Sequence, residues 1–219
     1  TVDMLGDDFG NVCVYGISVK YHSINALNNR VAVKLHWNSN VFPNKIYELI
    51  AQRGKDCYRA IGLKNSFGHL EIIMKPDGSF TPIEIGARSS GFIASHLVSA
   101  ASQKDYLGDY ISMLHGNNIG NADHINGRQS SMWFGYDIPI GYRAVKNVNL
   151  SDYLEDNIKV MYFNRDGLVV NKLYEAIVDD NGRDHLGYEM LTGPRNVLTM
   201  EAINKAELNF LRDFCHYGI

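Results

Sequence analysis

Only three cysteines, Cys13, Cys57 and Cys215, occur among the 219 residues, far apart and never spaced as C-x-x-C. Their number and spacing indicate neither a disulfide framework nor a thiolate zinc site, so all three read as small buried hydrophobes. No apolar run approaches the roughly 20 residues that span a bilayer, and the opening TVDMLGDDFG has neither a basic nor an apolar leader region. Neither sign of charge dominates: the formal net charge is -3, the pI is near 6.2, and the charges are dispersed rather than blocked. That leaves no basic field for nucleic acid or an anionic membrane, so an acidic substrate has to be held by a local site. No nucleic-acid partner, no membrane partner and a cytoplasmic location are the resulting expectations. None of the eight histidines shows H-x-H or H-x-x-x-H spacing, and there is no G-x-S-x-G elbow, so zinc chemistry and covalent catalysis by the protein are not indicated.

What is present is a chain with 45% hydrophobic residues, enough for a real core in one large domain or two small lobes. It opens on Thr1 rather than Met, and reads as a piece of a longer protein. Val12 to Tyr21, rich in Val, Ile and Tyr, reads as a strand that pairs with the short segment before it across the turn Gly6 to Gly10. RVAVKLHW, Arg30 to Trp37, alternates with period two. Ile46, Leu49, Ile50, Cys57, Ala60 and Ile61 then recur at helical spacing, with Gly54 inside the pattern and an end near Gly62. One helix is expected through Ile93, Leu97, Val98 and Ala101, and a second through Leu107, Tyr110, Ile111 and Leu114. The polar stretch Asn117 to Gly127 is the candidate lobe boundary. Beyond it, Ser131 to Lys146, Ile158 to Phe163 and Leu168 to Val178 read as strands, with a turn at Arg165-Asp166-Gly167. A last helix, capped by Thr199, runs through Ala202, Ala206, Phe210 and Phe214.

The strongest local pattern is HLEIIMKPDGSFTPIEIGAR, residues 69 to 88, two strand-like runs around a turn at Pro76 to Ser79. That turn predicts an antiparallel register pairing Lys75 with Phe80, Ile73 with Pro82 and Glu71 with Glu84. Leu70, Ile72, Met74, Ile83 and Ile85 then form an apolar face toward the core, and the two glutamates face each other on the opposite side with Ile73. Directly opposed like charges repel, and a hard divalent cation that shares its shell with water and phosphate is an economical compensation. If the strand runs on, Arg88 lies on the carboxylate face with its planar donor fork. Ser89-Ser90-Gly91, small residues ahead of a predicted helix, offer backbone N–H groups to an anion.

These residues carry a resemblance. Ala60-Ile61-Gly62-Leu63, His69-Leu70-Glu71, and Glu84-Ile85-Gly86-Ala87-Arg88 with Ser89-Ser90-Gly91 resemble the C-terminal half of the ATP-grasp fold, most of all its carboxylate-amine and amino-acid ligases. The resemblance covers residues 1 to 116 well and the rest loosely. It implies an α+β fold: an antiparallel-sheet lobe with helices on one face over residues 1 to 120, then a smaller strand-rich lobe over 121 to 219. It further implies ATP and Mg2+ as cofactors, with Mn2+ as the alternative ion, Glu71 and Glu84 as the metal ligands, and Arg88 on phosphate and on the transferring group. Ile73 would lie under the adenine, and Ser90 and Gly91 would hold the acyl oxygen. The implied partners are a small carboxylate and an amine, amino acids among them, and an N-terminal part of the same protein bearing the ATP-binding lysines. The chain itself shows neither that lobe nor a Gly-rich phosphate loop. A homodimer is compatible with this reading.

Where such ligases commonly carry Glu-x-Asn, this chain has Glu84-Ile85-Gly86, so one oxygen ligand for a second metal ion is missing. Blander readings stand beside the sharp one: two glutamates on a solvated hairpin face, Arg88 as the structural counter-ion of Glu84, or an ATP-grasp-like domain used for nucleotide binding or assembly without catalysis. His69 shares the parity of Glu71 and at most supports the ligands from behind.

Overall fold

In the computed structural model, residues 1–24, 30–75, 79–91, 94–136, 142–144, 148–164 and 187–217 are described. The strands are β1 (Val2–Gly6), β2 (Val12–Ile24), β3 (Arg30–Trp37), β4 (Ser66–Met74), β5 (Phe80–Gly86), β6 (Gln129–Gly135), β7 (Tyr142–Ala144), β8 (Lys159–Asn164), β9 (Tyr188–Pro194) and β10 (Cys215–Tyr217). The helices are α1 (Asn44–Ala60), α2 (Ala94–Ser102), α3 (Tyr106–Leu114) and α4 (Met200–Phe214), with a 3-10 turn at Leu150–Tyr153. The class is α+β. The chain divides into two compact units, residues 1–19 with 37–131, and residues 20–36 with 132–219.

In the first unit the antiparallel ladder runs in the order β5-β4-β1-β2. The opening hairpin is present as expected, with β1 paired to β2, and β1 is buried along its whole length. Helix α1 packs Tyr47, Ile50, Ala51 and Tyr58 against Val2, Met4, Val12, Val14 and Leu70. Gly54 lies inside this helix because the sheet leaves no room for more: a Cβ there would stand 3.0 Å from Val2 and 3.2 Å from Met4. The same crowding holds the Tyr58 ring over Gly6 and Gly68, with its hydroxyl 2.9 Å from the Ser66 carbonyl oxygen.

Helix α3 is the expected second helix. Its buried residues are Tyr106 and Met113, whereas Leu107, Ile111 and Leu114 are exposed. The helix is apolar on most sides, so periodicity alone does not select its inner face. Aromatic contacts select it: the Tyr106 ring lies 4.9 Å from Tyr15 and 5.1 Å from Phe67, and its hydroxyl donates to the Met4 carbonyl. The polar stretch after α3 is tied to β2, with the Asp123 carboxylate accepting from the Val14 amide at 2.9 Å. Of the three cysteines Cys13 is buried as expected, whereas Cys57 is only half-buried, and both are free thiols. The Cys215 side chain lies outside the described residues.

In the second unit the ladder order is β3-β6-β9-β8, and β7 pairs with β10. Helix α4 packs Ile203, Ala206 and Phe210 against Met132, Phe134, Leu191 and Leu198. Thr199 caps it as expected, its hydroxyl accepting from the Ala202 amide. Strand β9 is legible only in the structure. Its Glu189 is fully buried and accepts from the Tyr136 hydroxyl and from the amides of Leu150 and Ser151, closing the 3-10 turn. The expected strand Ile158 to Phe163 is β8. The expected turn at 165–167 and strand at 168–178 lie outside the described residues, as do the turn residues 76–78 and Ile93. Among the described residues no helix is long and apolar enough to cross a membrane.

Candidate active site

The β4–β5 hairpin, which edges the first unit's ladder, brings Glu71 and Glu84 directly opposite each other. Regular pairing runs from His69 with Gly86 through Leu70 with Ile85 to Glu71 with Glu84, and then a β-bulge shifts the register. Beyond it Ile72 pairs with Pro82, Ile73 with Thr81 and Met74 with Phe80, so the expected pairs Ile73 with Pro82 and Lys75 with Phe80 are corrected by one residue. The bulge also changes the face of one side chain. Ile72, Met74 and Ile85 pack against the core as expected, but Ile83 is 57% exposed, because the extra residue at a bulge escapes strict alternation. Ile73 is exposed to the same extent. Pro82 is tolerated because β5 is an edge strand.

Arg88 follows immediately after β5. Its Nη2 lies 3.5 Å from Glu84 Oε1 and its Nη1 donates to the Ser89 carbonyl at 3.1 Å. Both members of the Arg88–Glu84 pair are more than half exposed, so this contact is weak and leaves the guanidinium free to be redirected to an anion. Gly86 makes this approach of Arg88 to the strand feasible: a Cβ there would stand 3.2 Å from the Arg88 Cγ. Gly91 is exposed, with open space where a Cβ would stand.

Ser90 is different. It is buried, and its hydroxyl turns inward to the Asp3 carboxylate, 3.0 Å from His69 Nδ1. Asp3 is fully buried and also accepts from His69 Nδ1 at 2.9 Å and from the Trp37 indole at 2.9 Å. Burial alone pushes the Asp3 carboxyl upward, but the His69 contact and the hydrogen bonds from Ser90 and Trp37 outweigh it and hold the group below the ordinary carboxylate range. The other ring nitrogen of His69 lies 3.7 Å from Glu71 Oε1. Asp3 and Trp37 escape a sequence reading because they lie 66 and 32 residues from His69. The usable signal was the shared parity of His69 and Glu71 together with the β1–β4 pairing, in which Asp3 stands opposite His69.

In the second unit His36 is fully buried with neither ring nitrogen hydrogen-bonded among the described residues, and burial together with the charge of Arg195 pushes its pKa down to about 3. No pattern in the sequence singled it out.

Among the described residues no group of three or more His, Cys, Asp or Glu side chains is arranged to hold a metal alone. Two opposed carboxylates with open solvent beside them suit an ion that takes most of its shell from water and phosphate, which is the habit of Mg2+ rather than Zn2+ or Ca2+.

No protein-family model and no curated protein matches the sequence. Solved structures do match the fold. An L-amino acid ligase from Bacillus licheniformis superposes with a TM-score of 0.68 at 14% identity, over 98% of this chain and 50% of that one. A phosphoribosylglycinamide synthetase from Anaerococcus prevotii gives 0.59 at 16% identity, over 98% and 51%. The biotin carboxylase domain of a 2-oxoglutarate carboxylase from Hydrogenobacter thermophilus, solved with MgADP and bicarbonate, gives 0.55 at 15% identity, over 88% and 40%. The chain therefore spans about half the length of these enzymes or less, and it has the fold of the ATP-grasp ligases and carboxylases.

Proposed function

We propose that this chain supplies the metal and phosphate side of an ATP-dependent ligase that joins a carboxylate to an amine, with amino acids as the substrate class. The observation that carries this reading is the direct opposition of Glu71 and Glu84 beside Arg88, on a fold shared with an L-amino acid ligase. Glu71 and Glu84 would hold Mg2+, which when bound draws charge from the phosphate oxygens. Arg88, released from its loose contact with Glu84, places a planar pair of donors on the transferring phosphoryl group. Ile73 offers an exposed apolar surface on the same hairpin for a flat base, and the backbone amides of Ser90 and Gly91, which follow Arg88 along the chain, would hold the acyl oxygen. A substrate carboxylate oxygen attacks the γ-phosphorus and ADP leaves; the amine nitrogen then attacks the acyl carbon and inorganic phosphate leaves. The chain's part is positioning and charge. The lysines that grip the nucleotide belong, in this reading, to a part of the protein outside this chain.

The test is ADP release by the full-length protein supplied with ATP, Mg2+ and pairs of amino acids. Release that requires both the metal and an amino-acid pair supports the reading. A second reading, a nucleotide-binding domain without ligase chemistry, is favoured by one observation: Gly86 provides no side-chain oxygen ligand, and the Arg88 stem lies 3.2 Å from where its Cβ would be. Nucleotide binding without any substrate-dependent ADP release would select it.

A further inference from the structure

The buried cluster at Asp3 lies behind the two glutamates rather than among them, and its chemistry reaches Glu71 through one ring. The Asp3 carboxylate is ionised and can only accept, so the proton between it and His69 sits on Nδ1 of the imidazole. With Nδ1 fixed inward, the ring plane and the outward Nε2 are fixed as well, and Nε2 stands 3.7 Å from Glu71 Oε1. That distance is a contact, longer than a hydrogen bond. His69 is buried while the Glu71 side chain is one-third exposed, so the ring edge is a wall against which a flexible glutamate rests.

Carboxylates that bind an ion are themselves usually oriented by polar groups behind them, and an imidazole held on its far side by a buried carboxylate is suited to that place. The same Asp3 oxygen also accepts from the Ser90 hydroxyl, and Ser90 lies two residues from Arg88. A single buried carboxylate thus anchors both the ring beside Glu71 and the turn that follows Arg88.

We infer that His69, clamped by Asp3, is the positioning residue of Glu71, fixing the direction of that carboxylate toward Glu84. The inference rests on the proposed reading that Glu71 and Glu84 hold a divalent cation. It assigns to His69 no contact with substrate, and it makes Asp3 and Ser90 parts of the same bracket.

Mn2+ binding by the full-length protein with a non-hydrolysable ATP analogue, followed by electron paramagnetic resonance of the free ion, tests it without turnover. Asn at position 69 reproduces the Nδ1 donor toward Asp3 but leaves the Glu71 side empty, whereas Gln reproduces the Nε2 position. His69→Asn should therefore keep the melting temperature and weaken Mn2+ binding by about 10–100-fold, with His69→Gln retaining more of the affinity. Asp3→Asn, which leaves the ring in place without its charged anchor, is an independent arm with the same expected direction. Glu84→Gln is the control on the reading beneath. If it weakens Mn2+ binding while His69→Asn and Asp3→Asn bind within about threefold of the wild type, far short of the usual effect of an orienting partner, the inference fails and the metal site stands. If Glu84→Gln also binds Mn2+ normally, the metal reading itself fails and takes this inference with it.

Discussion

Glu71 and Glu84 stand opposite each other at the last regular pair of the β4–β5 ladder, and the bulge begins at the pair beyond them. The bulge lies between the turn and this pair, and the extra residue it takes up on β5 is what brings Glu84 rather than Ile83 opposite Glu71.

Replacing Glu84 with Gln keeps the shape and removes one charge from the pair. The Mg2+ concentration needed for half-maximal ADP release should rise about tenfold or more. Relief of cross-strand repulsion, worth about 0.2–1 kcal/mol, should leave the melting temperature unchanged or slightly raised. A lowered melting temperature with unchanged metal dependence would make Glu84 a structural partner of Arg88.

Arg88→Lys keeps the positive charge and loses the planar fork. Turnover should fall on the order of 10² or more, while the nucleotide affinity measured by equilibrium binding changes little, the pattern of a donor lost from the transition state. Because the Arg88–Glu84 pair is loose and exposed, stability should not change measurably. Intact turnover with reduced thermal stability would reverse that assignment.

Gly68→Ala tests the packing that sets the hairpin beside β1. A Cβ at Gly68 would meet the Tyr58 ring at 2.6 Å, and that ring is wedged between α1 and the sheet. Overpacking of this kind costs about 1–3 kcal/mol, so the urea midpoint should fall clearly without a change in slope. Pairing the change with Tyr58→Leu should recover part of the loss, because the obstructing ring is then gone.

The buried Asp3 predicts a pH dependence. Its carboxyl is held below the ordinary range in the folded chain, so the unfolded chain takes up the proton first as pH falls. Its contribution is complete above the unfolded carboxylate pKa of roughly 4 and is lost progressively below it. The melting temperature should therefore drop steeply on acidification below about pH 4, and Asp3→Asn should be less stable at neutral pH and show a shallower acid limb. An unaltered acid limb in Asp3→Asn would place the sensitivity elsewhere.

Much of this protein was set by local sequence. The alternation on either side of residues 76 to 79 marked the hairpin and its core face of Leu70, Ile72 and Ile85, and the expected opposition of Glu71 and Glu84 is present, although the register nearer the turn is one residue off and the bulge takes up the difference. Helix α1 and the Thr199 cap of α4 were legible for the same reason: their signals lie within one or two turns of chain. Three things only the tertiary structure decided. The bulge that exposes Ile83 depends on an extra residue against the partner strand, which alternation along β5 does not show. The inner face of α3 was settled by the rings of Tyr15 and Phe67, because a helix apolar on most sides carries no preference of its own. The clamp on His69 required β1 to lie beside β4 and so bring Asp3 to it from 66 residues away. Contacts of that range are fixed by which strands become neighbours, and strand neighbours are chosen by the burial of whole faces rather than by any short motif.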